Sequence, residues 1–326
     1  MRRKAPETEV AMYQGKKRTK MLNKKEKNIW SVIKANYQIY VLLIPAILFF
    51  AIFCYGPMYG IIIAFKDYNT GLGIMSSPWV GLKHFKRFID MPVFWNVLKN
   101  TLLLSLYHLA VNFPIPIVVA LMINEVKEGI FKKTLQTVIY APHFISTVII
   151  CSMITLFLSP SAGFVNKMME ALGGDAVNFM SNPDYFKHIY VWSNTWQHTG
   201  WSSIIYVAAL SGVDMSLHES ASIDGAGRLQ RIWHINLPSL RPTIVIQLIL
   251  CCGSILVSDF EKVLILQKPA IMETADVLST YVYRIGIQQA QFSLSTAIGL
   301  FNSIFNFIFL IFTNFACRKI GDTSLS

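Results

Sequence analysis

The sequence predicts an all-α integral membrane protein with six transmembrane helices and a structured cytoplasmic loop. Three observations carry that prediction: an apolar composition, six stretches of membrane-spanning length, and a strong basic bias at one end. Of the 326 residues, 53% are hydrophobic and only 14% are charged, a balance outside that of ordinary soluble domains. A helix rising 1.5 Å per residue needs about 20 apolar residues to cross a hydrocarbon core about 30 Å thick. The chain accordingly divides into a basic tail at 1–36, a six-span domain at 37–318 and a short tail at 319–326.

The spans are expected at Ile39–Phe65, Thr101–Ile123, Val138–Leu158, Ile189–Val213, Thr243–Leu266 and Ser293–Cys317. The first continues through Tyr55-Gly56-Pro57-Met58-Tyr59-Gly60, too long for a signal-peptide core of about 7 to 15 residues, so it is read as a retained, kinked span. The fourth is the least apolar, since it contains Trp192, Asn194, Trp196, Gln197, His198 and Trp201. It completes an even number, which places both termini on one side. Eleven Lys or Arg, from Arg2 to Lys34, precede the first span against three acids, and such an excess accumulates on the cytoplasmic side. The second and fourth loops and Arg318-Lys319 then share that side, which collects 19 of the 29 basic residues. The expected location is a bacterial cytoplasmic membrane, with both termini in the cytoplasm. Anionic membrane lipid headgroups account for the +11 net charge, and no nucleic-acid partner is expected.

Reactive constellations are missing from the sequence. The pair Gly15-Lys16 has Val10 where a phosphate-binding loop requires glycine and Lys17 where it requires Ser or Thr. His218-Glu219 begins like a zinc-protease motif, but position 222 is Ser, so the second ligand is absent. Neither an enzyme activity, a metal nor a cofactor is expected of this chain. Cys54, Cys151, Cys251, Cys252 and Cys317 fall within or at the end of spans and are read as small packing residues.

The fourth loop, 214–240, is the most informative segment. Ser216 and Glu219 have the spacing of a capping box, which predicts a helix starting near Leu217. Gly225 stands where a positive φ would end that helix, and Pro238 forbids a later helix from running unbroken into the next span. Glu219-Ser220-Ala221, three residues, Gly225, nine residues, Ile235-Asn236-Leu237-Pro238 resembles the coupling-loop signature of ABC importer permeases, Glu-Ala-Ala-x3-Gly-x9-Ile-x-Leu-Pro. Six of the seven fixed positions match, with Ser220 in place of the first Ala.

The resemblance covers nearly the whole chain. Trp79-Val80-Gly81-Leu82-Lys83-His84-Phe85 and Ala141-Pro142-His143-Phe144-Ile145-Ser146 resemble stretches of the maltose-type, carbohydrate-importing branch. The long tail, Tyr55–Gly60 and Asp276–Gly286 are similar to a subgroup associated with oligosaccharides. This resemblance implies the type I importer fold, carbohydrate uptake by alternating access, and a coupling loop that docks on an ATPase through Ser216, Glu219, Ser220, Ala221, Asp224, Gly225, Ile235, Leu237 and Pro238. The implied partners are a second homologous permease, two ATPase subunits that hold the ATP and Mg, and an extracytoplasmic solute-binding protein.

Polar side chains within spans are costly and usually face the bundle interior or a water-filled path. Asn194, Gln197, His198 and Trp201 share one face of the fourth span. Gln247, Cys251, Ser254 and Ser258 do so on the fifth, and Ser295, Gly299, Asn302 and Asn306 on the sixth. Together they are candidates for a carbohydrate pathway, although small and polar stripes also serve helix packing. Asp259 and Lys262 are spaced to form an ion pair. The rival reading is a secondary transporter or channel without an ATPase, for which internal inverted repeats and paired intramembrane acids would be expected.

Overall fold

The computed structural model describes residues 34, 36–256 and 259–320. The basic tail other than Lys34 and Asn36 lies outside the described residues, as do Ser258 and the side chains of Cys317, Arg318 and Lys319. Two compact units result, Met1–Gly60 and Ile61–Ser326.

The described part of the first unit is helical: Tyr37–Phe49, a π-helical stretch at Phe50–Tyr55, and Gly56–Met58. Pro57 lacks an N–H and stands just after the π-helical stretch, where the hydrogen-bond register changes. None of these side chains is buried, as befits a helix that is apolar all round.

In the second unit, four elements carry the architecture. Pro92–Glu125 forms the second span, with Pro114 at the start of its second helix. The third is broken rather than continuous: Ile130–Phe144 and Thr147–Phe157 meet at 95°. Pro142 cannot continue the α-ladder, and Ser146 restarts it by accepting from the Ile149 amide at 3.4 Å. The fifth span also departs from expectation. It runs from Arg228 to Gly253, and Phe260–Leu266 is a separate helix with Asp259 as its N-cap. The sixth, Phe292–Ile320, matches its expected place.

The span count follows from these helices. Among the described residues four are long and apolar enough to cross a membrane, or five if the bent pair is one span. Pro183–Ser211, the expected fourth span, has 29 residues, about 43 Å of helix and ample length for a bilayer. Its amides, imidazoles and indoles lower its hydropathy. Gly200 lets it approach the third span closely, since a Cβ there would lie 2.1 Å from the Ile139 carbonyl oxygen.

Of three apolar clusters among the described residues, Ile117, Ala120, Tyr206, Leu210 and Leu240 join the second, fourth and fifth spans, and the other two tie in the short helices. Phe88, Phe94, Leu278, Tyr281, Leu294 and Ile298 fasten the short helix Lys83–Asp90 to the second and sixth spans. Leu104, Cys151, Tyr190, Val191, Val263 and Leu266 join the second to fourth spans to Phe260–Leu266. The segment before Lys83 is pinned by Ser293, whose hydroxyl donates to the Lys66 carbonyl at 2.7 Å and accepts from the Tyr68 amide at 2.9 Å.

Candidate functional site

The loop between the fourth and fifth spans folds by its own local bonds. Helix Met215–Ile223 begins before the expected Leu217, because Asp214 rather than Ser216 is its N-cap. The Asp214 carboxylate accepts from the Ser216 amide at 2.9 Å. A carboxylate at the positive end of a helix is a better acceptor than a hydroxyl. That bond holds the Asp214 carboxyl below its ordinary value. Ser216 therefore lies inside the first turn, and Glu219 stands exposed one turn on.

At the other end Gly225 adopts φ +80°. Its amide donates to Ser222 O at 3.1 Å and the Ala226 amide to Ala221 O at 2.8 Å, the paired bonds of a Schellman stop. Arg231 Nη1 then donates to Ser222 Oγ at 2.6 Å and ties the candidate docking helix to the next one. Pro238 does not interrupt the chain as expected. Ile232–Asn236 widens into a π-helical turn, and helix continues from Leu237. The Ser239 hydroxyl satisfies Ile235 O at 2.7 Å. Asn236 is fully buried, with both amide atoms unpaired among the described residues.

The nine candidate docking residues therefore fall on one continuous loop. Ala221, Asp224, Gly225 and Ile235 border a hollow of about 310 Å³ together with Arg231 and His234. Around it Ile223, Leu229 and Trp233 are 86%, 73% and 65% exposed. Leu237 is half-buried and Pro238, Ser216 and Ser220 are exposed.

A second, larger cavity of about 660 Å³ opens between the second, fourth and fifth spans. Asn194, His198, Trp201, Gln247, Cys251 and Ser254 line it. Gln197, Asn302 and Asn306 do not. Gln197 is buried behind the wall, and Asn306 Oδ1 accepts from the Leu256 amide at 3.0 Å. Asn302 Oδ1 is buried and unpaired among the described residues. Ser295 Oγ stays within its own helix on Phe292 O.

The structure adds a stripe that the sequence reading missed: Ser105, His108 and Asn112 on the second span. Their spacing of three and four residues was a readable signal. His108 Nε2 meets Asn194 Oδ1 at 3.0 Å. Ser105 Oγ, Asn112 Nδ2 and Thr199 Oγ1 have no protein partner among the described residues, and all three belong to residues of the cavity wall. Behind His198, His143 Nδ1 lies 3.1 Å from its Nδ1, and the His143 ring stacks on Trp201 at 4.5 Å and 7°. Such a wall offers hydroxyl, amide and imidazole hydrogen bonds and an indole face to a polyhydroxylated surface.

The expected ion pair between Asp259 and Lys262 is replaced by another arrangement. The Asp259 carboxylate caps the backbone amide of Lys262 at 3.3 Å, while Lys262 Nζ donates to Gln197 Oε1 at 3.1 Å. No group of three or more metal-ligating side chains occurs among the described residues.

Comparison with known proteins places this geometry. Residues 93–321 match the model of the "Binding-protein-dependent transport system inner membrane component" family. The polygalacturonan/rhamnogalacturonan transport system permease protein YteP of Bacillus subtilis is 41% identical, over 98% of this chain and 98% of that protein. Protein LplB of the same organism is 42% identical, over 90% and 93%. The crystal structure of a bacterial ABC transporter that imports the acidic polysaccharide alginate is similar over 90% of this chain and 99% of that one, with 42% identity and a TM-score of 0.82. A second structure of the bacterial alginate transporter, in complex with an alginate pentasaccharide-bound periplasmic protein, gives a TM-score of 0.83 at 42% identity, over 91% and 99%.

Proposed function

The chain belongs to the binding-protein-dependent transport system inner membrane components, and from that premise we propose that it forms half of the translocation path of an ABC importer for oligosaccharides. As a family member it is a transport subunit and not an enzyme. Its cargo class is read as fragments of acidic polysaccharides, since one similar protein is named for polygalacturonan and rhamnogalacturonan transport and another imports the acidic polysaccharide alginate. A second permease would complete the path, two cytoplasmic ATPases would hold ATP and Mg, and an extracytoplasmic binding protein would deliver cargo. Both termini would then lie in the cytoplasm of a bacterium.

The observation that carries the reading is the docking loop. Asp214 and Gly225 close its helix at both ends with local bonds, yet Ile223, Leu229 and Trp233 remain exposed around a hollow. Exposed apolar anchors on a rigid knob are what a partner's cleft would cover. Movement of that knob would rock the fifth span and open the cavity to one side or the other. The unpaired Ser105, Asn112 and Thr199 atoms would find partners in sugar hydroxyls.

Co-purification with the ATPase tests the reading. Glu219→Lys and Gly225→Pro should each abolish ATPase capture and ATP-driven uptake of an oligogalacturonate while the chain still inserts and pairs with its partner permease. If both variants still couple hydrolysis to uptake, the docking assignment is wrong. Uptake that persists without any ATPase would favour a secondary transporter.

A further inference from the structure

Lys262 is the most unusual side chain in the structure. It is fully buried just after the fifth span, where an ammonium group is costly unless it is paired or hydrogen-bonded. Its partner is neutral: Nζ donates to Gln197 Oε1 at 3.1 Å. Gln197 in turn uses its other amide atom on a third element, donating from Nε2 to Ile145 O at 3.1 Å.

That acceptor is available because of the break in the third span. Within a continuous helix Ile145 O would accept from the Ile149 amide. Here Ser146 Oγ takes that amide, and the Ile145 carbonyl is left for Gln197. One side-chain amide therefore joins the broken third span, the fourth span and the helix after the fifth. The Lys262 end is itself anchored, since Asp259 caps that helix and the Asp259 amide donates to Tyr190 Oη at 3.0 Å.

We propose that Gln197 and Lys262 are positioning residues rather than cargo contacts. They form a strap that ties the break at Ile145 to the helix following the fifth span. Displacement of that helix then moves the third and fourth spans with it. The cavity wall follows, because Trp201 and His198 are backed by His143 from the third span. This transmission role rests on the importer reading, whereas the strap itself rests on the hydrogen bonds alone.

The test uses the chain assembled with its partner subunits in proteoliposomes, with an oligogalacturonate as cargo. Lys262→Met and Gln197→Leu should each lower uptake per ATP hydrolysed by about tenfold, the scale of one lost hydrogen bond to a charged group, with half-saturation unchanged within about twofold. The double variant should be no worse than either single one, as for members of one chain of contacts. Gln197→Glu is the discriminating variant. It keeps an acceptor for Lys262 but loses the donor to Ile145, and it should uncouple like Gln197→Leu.

Normal coupling in Gln197→Glu would overturn the strap, because satisfying Lys262 alone would then suffice. A raised half-saturation at unchanged maximal rate would make Gln197 a cargo contact and also overturn it. Hydrogen exchange on the same assemblies needs neither cargo nor ATP. Lys262→Met should speed exchange of the amides at 145–150 selectively, whereas uniform loosening of every span, or no change, would sink the proposal. Should Lys262→Met fail to assemble, Gln197→Leu, which cuts the same chain of contacts, carries both measurements. Wild-type assemblies that show no ATP-driven uptake would count against the importer reading, while the exchange result would still decide the strap.

Discussion

Between Asp214 and Arg231 the side-chain bonds that shape the candidate docking loop reach at most nine residues along the chain, as from Arg231 to Ser222. At and behind the cavity wall, side-chain bonds between helices join residues as far as 52 to 86 apart, as from Gln197 to Ile145 and from His108 to Asn194. The loop leaves its large apolar side chains exposed, while the wall buries Gln197 and Lys262. Local bonding lets the loop keep its shape while its surroundings change, which suits a part that must move as a body. Long-range bonding makes the wall sensitive to the relative placement of three spans, which suits a part that must respond.

The largest effect should come from behind the wall, at Gly200, where the fourth span packs on the third. A Cβ there would meet the Ile139 carbonyl oxygen at 2.1 Å, and a backbone atom cannot yield as a side-chain tip can. Gly200→Ala should cost about 1–3 kcal/mol through forced separation of the third and fourth spans. Thermal unfolding in detergent, compared with Gly299→Ala in the sixth span, measures it. A Cβ on Gly299 meets nothing within 4 Å, so that control should be neutral or slightly stabilising. Equal midpoints for the two variants would remove the tight third–fourth contact from the account.

Legibility in the sequence followed the same division. Gly225 declared its positive φ through its place after a helix, and the docking positions lay at fixed short spacings. Even so, the carboxylate of Asp214 outcompeted the Ser216 hydroxyl two residues away, and Pro238 was absorbed by a π-helical turn instead of ending a helix. The break of the third span was written in Pro142 and Ser146, but its 95° angle depends on what packs against it. Asp259 and Lys262 had the spacing of an ion pair. Only the fourth span's Gln197, remote in sequence, decided that Lys262 would turn elsewhere.

A medium effect is expected at the loop's cap. Asp214→Ala removes the acceptor of the Ser216 amide and should speed hydrogen exchange across Met215–Ile223 by about fivefold, with little change in global unfolding. Protonation should imitate the substitution. The Asp214 carboxyl lies below its ordinary 3.8 because the Ser216 amide favours the charged form. Its contribution is therefore complete above 3.8 and is lost as pH falls through the depressed folded value. Exchange that is flat across that interval in the wild type would show that Asp214 does not hold the helix start.

The smallest effect should be that of the exposed bridge from Arg231 to Ser222. Both partners face water, so removing either exchanges a protein bond for a solvent one. Ser222→Ala and Arg231→Ala should each move the thermal midpoint by less than about 2 °C. Their effect should appear in the loop's orientation. The bridge is the side-chain bond that links the docking helix to the helical run entering the fifth span, so its loss should weaken ATPase capture by a few-fold without loosening the cavity wall. A midpoint shift as large as that of Gly200→Ala would mean that the loop is stabilised by the spans rather than by itself, and the contrast between the two regions would fail.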